Sequence, residues 1–98
     1  MDPIPPPATP DLFQALVGRT VVVDTDSSFV FLGRLESADA QFLVLSDVDA
    51  HETTEASLSK ERYVHESHGI GVRANRKRTW VRLARVVSIS LLEDVISF

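Results

Sequence analysis

A glycine interrupts the most strand-like segment of this chain, Phe29-Val-Phe-Leu-Gly33-Arg-Leu-Glu-Ser37. Around it the apolar residues alternate, with Phe29, Phe31 and Leu35 on one face and Val30 and Leu32 on the other. A glycine inside such a run packs nothing and marks a bend or a close approach of another backbone. A chain of 98 residues encloses only a thin core. A sheet that curls at Gly33 can wrap that core, and closure removes the edges a short flat sheet leaves unpaired. The expected class is mainly β: a small, strongly bent, five-stranded antiparallel barrel.

The flanking segments fit this plan. Residues 1–8, with Pro3 and the run Pro5-Pro6-Pro7, read as a flexible proline-rich lead into a single domain over 9–98. Thr9 can cap a short helix, Pro10 suits its first position, Asp11 favours its positive end and Gly18 its stop. Leu12, Phe13 and Leu16 would form its apolar stripe. Arg19 to Asp24 is a β-branched strand ending in the turn Asp24-Thr25-Asp26-Ser27-Ser28, and a third strand runs from Gln41 to about Val48. Residues 49–78 break the alternation. They predict an inserted helix over Ser57 to His68, with Leu58, Arg62, Tyr63 and Glu66 at helical spacing and Gly69 as its stop, followed by a basic loop or irregular strand from Ile70 to Arg78 around Asn75. Two strands close the domain, Thr79 to Leu83 and Arg85 to Leu91, separated by an abrupt turn. The second sets Val87, Ile89 and Leu91 against Val86, Ser88 and Ser90.

Composition narrows the function classes. There is no cysteine, so neither disulfides nor thiolate metal sites support the fold. The start of the chain lacks the basic-then-apolar order of a signal peptide, and no apolar run approaches membrane-spanning length. The expectation is a soluble, cytoplasmic protein with no membrane partner. Neither a Gly-x-Ser-x-Gly elbow, a Walker loop nor a Gly-x-Gly-x-x-Gly run occurs, so no enzyme activity, cofactor or small-molecule substrate is expected. Asp47, Asp49 and His51 would share one strand face, and His65 and His68 one helix face. Such sets can hold a divalent ion, but they are also what solvated surfaces look like, and no metal site is assigned.

The net charge of −4 conceals a division. Asp24 to Glu55 holds eight acids and one base, Arg34; Arg73 to Arg85 holds six bases and no acid. Such a chain can offer phosphate a local positive surface against its overall sign.

The order of a short helix, three strands, a long excursion and two strands resembles the Sm and Sm-like family, whose small barrel is SH3-like. The resemblance rests on Gly18, on Gly33-Arg34-Leu35 with Asp39, on Phe42, Leu45 and Asp47, and on Val81-Arg82-Leu83-Ala84-Arg85-Val86-Val87-Ser88-Ile89. It covers about sixty residues. It implies a homo-oligomeric ring joined through the last two strands, with Phe42 as a stacking residue and Arg82 as a pocket wall for RNA. Leu43 and Leu83 stand where uridine-binding members place asparagine and glycine, so base-edge reading is expected to be weak. Bacterial Sm-like proteins with inserted elements are similar, and the chain reads as a divergent member of that type.

The strongest candidate site is Arg73-Ala74-Asn75-Arg76-Lys77-Arg78-Thr79-Trp80, whose cations suit phosphate and whose indole could stack on a base. The expected RNA-binding set is Arg73, Arg76, Lys77, Arg78, Trp80, Phe42 and Arg82. The alternative is a scaffold ring that binds protein partners or only itself, with the bases facing a neighbour's acids and Trp80 in an interface or the core.

Overall fold

Three consecutive valines in β1 (Thr20–Thr25) are all buried, which requires cover on both faces of the sheet. In the computed structural model, which describes residues 11–54 and 59–96, β1 lies between β2 (Phe29–Ala38) and the last strand, β5 (Val86–Leu91). β3 (Phe42–Glu52) pairs with β2, and β4 (Arg76–Arg82) pairs with β3, giving one antiparallel sheet in the order β4-β3-β2-β1-β5. The proline lead, Thr9, Pro10 and Leu58 lie outside the described residues.

This order forces the sheet to curl. β4 and β5 stand at opposite ends, four strand spacings or about 19 Å apart in a flat sheet. A single 3-10 turn, Leu83–Arg85, joins them. Four extended steps from Arg82 to Val86 reach about 14 Å at most. Only a bent sheet lets the ends meet. Five antiparallel strands in one bent sheet bear out the mainly-β, five-stranded part of the expectation. Among the described pairings, β4 and β5 are not bonded to each other, so each keeps a free edge.

Gly33 sits at the bend, and here the close approach is real. A Cβ at this position would lie 3.1 Å from the Ser46 carbonyl oxygen and 3.2 Å from Val48 Cγ2. The β2–β3 register shifts between Leu32 and Arg34, and Asp47 opposite takes a left-handed φ of 49°. This bulge reverses the phase of β3. Leu43, Leu45 and Val48 therefore all reach the inner core, which they share with Val21, Val23, Leu35 and Val81.

A second cluster occupies the outer face. Val22, Val30 and Leu32 pack there against Tyr63 of α2 (Lys60–Ile70), the helix between β3 and β4. The strand faces thus divide as the alternation around Gly33 predicts, with Leu35 and the partly buried Phe31 inside and Val30 and Leu32 outside. Ser59 accepts a hydrogen bond from the Arg62 amide and starts the helix. It passes the expected stop at Gly69 and ends at Gly71, whose φ of 89° is left-handed and whose amide donates to the Ser67 carbonyl.

Three further expectations are corrected. In α1 (Asp11–Leu16), Phe13 and Leu16 pack on the inner core while Leu12, turned a third of a revolution away, is 60% exposed. β3 runs to Glu52 rather than about Val48, and β4 begins at Arg76 rather than Thr79, so residues 76–78 take the strand form of the two that were open to them. In β5 the register against β1 shifts at Asp24/Thr25; Val86 joins Ile89 and Leu91 inside, and Val87 is left 67% exposed.

Candidate functional site

β4 is an edge strand of alternating character. Val81 is buried in the inner core opposite Leu43, and Thr79 pairs with Leu45 on the same face. Arg78, Trp80 and Arg82 point to the outer face opposite Ser46, Val44 and Phe42. The Arg78 guanidinium lies 6.0 Å from the Trp80 ring centroid, and that of Arg82 lies 5.8 Å from the Phe42 ring. Two cation–π stacks thus stand side by side on two paired strands. Charged side chains on an edge strand also keep it from pairing indiscriminately.

The corner beside the second stack is firmly held. The Leu83 amide donates to the Gln41 carbonyl. Asp39 accepts from the amides of Gln41 and Phe42 at 2.7 and 2.8 Å, which holds its carboxyl below the usual range. Phe42 and Arg82, far apart in sequence, are brought together by the β3–β4 pairing. Leu43 is fully buried and Leu83 packs against the same core, so neither position offers a polar group to a base edge.

Asn75 fixes the start of β4, a role with no clear mark in the sequence beyond the turn preference of asparagine. Its Oδ1 accepts from the Ala50 amide at 3.0 Å and its Nδ2 donates to the Ala50 carbonyl at 3.1 Å, in the manner of one more backbone residue in the ladder. Arg76 and Lys77 follow, around a shallow depression shared with Asp47 and Ala74. Arg73 lies apart, in a recess with Tyr63, Glu66 and Ile70. Six of the seven candidate residues therefore gather on β4 and its neighbour β3, with Arg73 at one end.

The ion pairs sort the cations sharply. Arg19 pairs with Glu93, Arg34 with Glu36 and Asp47, Lys60 with Asp24, Arg62 with Glu66, and Arg85 with Asp26 at 2.6 Å. None of Arg73, Arg76, Lys77, Arg78 and Arg82 forms an ion pair with a described carboxylate. Arg85, the last base of the run, belongs to the fold and not to this surface.

The metal-type sets do not assemble. The bulge at Asp47 breaks the alternation that would align Asp47, Asp49 and His51. Asp47 is exposed and faces Arg34. Asp49 is buried and accepts from the Tyr63 hydroxyl and from Asn75 Nδ2. His51 stacks on the Tyr63 ring, with centroids 3.8 Å apart. Burial, followed by the hydrogen bond to Asp49, pushes the Tyr63 hydroxyl pKa up. Among the described residues no three side chains of metal-binding type form a group.

Two solved structures set this geometry in context. The chain is similar to a Pyrococcus abyssii Sm protein solved in complex with a uridine heptamer, at 21% identity and a TM-score of 0.58, over 83% of this chain and 93% of that one. It is equally similar to a heptameric archaeal Sm protein, at 23% identity and 0.58, over 84% and 97%. The fold is Sm-like. A chain of the NatC complex bound to CoA is also similar, at 19% identity and 0.56, over 97% and 94%. At these identities the likeness is one of architecture. No protein-family model and no curated protein matches the chain. Within this Sm-like fold, the residues singled out by the resemblance, Phe42 and Arg82, occupy the corner where β3 meets the end of β4.

Proposed function

We propose that this chain is the subunit of a homo-oligomeric Sm-like ring that binds RNA weakly, chiefly through the phosphate backbone. The observation that carries the reading is the division of cations: five in 73–82 form no ion pair with a described carboxylate, while the other five bases of the chain each do. Cations already paired within the fold would exchange one partner for another, whereas unpaired ones release counterions when they meet phosphate. Arg73, Arg76, Lys77 and Arg78 supply the phosphate contacts, and Phe42 under Arg82 offers a face for one base. With Leu43 and Leu83 turned to the core, little base preference is expected. Trp80, on the unpaired edge, is contested between a base and a neighbouring subunit.

Ring formation is the companion claim. The free edges of β4 and β5 offer backbone donors and acceptors of different surfaces, and head-to-tail pairing of such edges closes when the rotation divides a full turn. We read residues 9–98 as one domain, α2 as an insertion in it, and the chain as a cytoplasmic binding module rather than a catalyst. The heptameric archaeal Sm protein and the uridine-bound one support this reading. The likeness to a chain of the NatC complex favours the second reading, a scaffold that binds protein without RNA.

The mass of the purified particle, measured before and after nuclease, tests both. The first reading predicts one discrete oligomer that takes up unstructured RNA and loses it on replacing Arg76, Lys77 and Arg78 by Ser, with the oligomer intact. Loss of the oligomer in that variant, with no RNA held near about 0.1 M salt, supports the scaffold instead.

A further inference from the structure

Two features of the outer face lack a partner among the described residues. One is a groove of about 570 Å³ between α2 and β5. Its apolar lining includes Val22, Val30, Val64 and Ile96, and Ser88 and Ser90 of β5 form part of its wall. Glu61 and Asp94 also line it. Among carboxylates whose side chains are described, these two make no ion pair or hydrogen bond with a described residue. The other feature is the indole of Trp80, 59% exposed on the free-edged β4.

Both lie on the same side of the sheet. Val22 pairs with Ser90 and Asp24 with Ser88, so these serines share the outer face with α2. Trp80 pairs with Val44, opposite in direction to Leu43, Leu45 and Val81 of the inner core. We infer that Trp80 of one protomer fills the groove of the next. The inference rests on the ring reading, with β4 laid against a neighbour's β5. Directly opposed residues of antiparallel strands share a face. Trp80, central in β4 and outward, must then face Ser88 or Ser90, central in β5 and outward.

The pieces fit by size and by charge. Serine at both positions leaves room for an indole beside an apolar floor. The same pairing carries Arg78 and Arg82, which form no ion pair with a described carboxylate, toward the groove that holds Glu61 and Asp94, which form none with a described base. An aromatic anchor in a desolvated pocket, with opposite charges facing across the boundary, has the make-up of a binding hot spot. Asp24 and Lys60, also on the groove, already neutralise each other at 2.8 Å.

Trp80 is the single tryptophan, so the intact protein reports on itself. A dilution series without RNA would follow tryptophan emission and acrylamide quenching alongside particle mass by light scattering. Assembly should move emission to shorter wavelength and reduce quenching several-fold. Trp80→Ala should raise the dissociation constant for assembly about thirty-fold or more, a typical cost of losing an aromatic anchor. Ser90→Phe, which fills the groove and leaves the sequence of β4 unchanged, should weaken assembly in the same way. An assembled particle whose indole quenches as freely as in the dissociated chain overturns the inference and leaves the ring standing. Protection that appears only when RNA is added has the same force and assigns the indole to a base. A chain that stays monomeric at every concentration overturns the ring reading and this inference together.

Discussion

The acidic first half and the basic segment 73–82 carry opposite charge, yet they differ more in what their charges do. Between Asp24 and Glu52 every carboxylate is engaged. Asp24 and Asp26 pair with Lys60 and Arg85, Glu36 and Asp47 with Arg34, Asp39 holds two amides, Asp49 holds Tyr63, and Glu52 holds Thr54. The five bases of 73–82 form no ion pair with a described carboxylate. Charges that the fold uses are thereby separated from charges it leaves for something else. Replacing the first kind should cost stability, and replacing the second should cost binding.

The largest expected effect falls on the acidic side. Asp49→Ala leaves the buried Tyr63 hydroxyl without its acceptor, and stability should drop by about 2–3 kcal/mol, roughly 10 °C in Tm, with RNA affinity per folded molecule unchanged. Thermal melts beside binding isotherms check this; weakened RNA binding with an unaltered melt would erase the distinction. Next comes the triple replacement Arg76→Ser, Lys77→Ser and Arg78→Ser. RNA affinity should fall on the order of 30- to 100-fold near physiological salt, while each change moves stability by less than about 0.5 kcal/mol.

A smaller effect is expected in acid. Hydrogen bonds from Ser28 and then Thr54 lower the Glu52 pKa from 4.5 to about 2. Bonds from Ser46 and Arg34 lower that of Glu36, and backbone amides that of Asp39. A lowered carboxylate pKa stabilises the fold above the unfolded value and loses that contribution as pH falls toward the folded one. Denaturant titrations should therefore show stability declining between pH 4.5 and about 2, and Glu52→Gln should flatten the decline. The smallest change is Arg85→Ser. This base belongs to the run in sequence but to Asp26 in space, so its loss should cost under about 1 kcal/mol and leave RNA affinity unaltered. An RNA defect approaching that of the triple replacement would place Arg85 on the binding surface.

Much of this architecture is legible in local pattern. The valine run of β1, the alternation around Gly33 and the helix-stop glycine at 18 depend on near neighbours alone. The phase change at Asp47 is not legible, because a left-handed aspartate looks like any other until Gly33 approaches from the facing strand. That one bulge extends β3 to Glu52 and dismantles the apparent acid–histidine face. The shift at Val87 arises in the same way, from the register imposed by β1. The strand character of Arg76–Arg78 is masked by side chains typical of loops, since only the partner β3 makes them a strand. The candidate residues were visible as a cluster of charge. Their freedom from partners was not, because each paired cation finds its acid through a contact the sequence does not order, as Arg85 does with Asp26.

The salt dependence of RNA affinity for the native chain and for the Arg76→Ser, Lys77→Ser, Arg78→Ser variant tests the central claim most directly. If these side chains meet phosphate, the slope of log affinity against log salt should become shallower by about 2, near 0.7 for each lost contact to single-stranded RNA. Equal slopes, or native affinity that does not respond to salt, would contradict it.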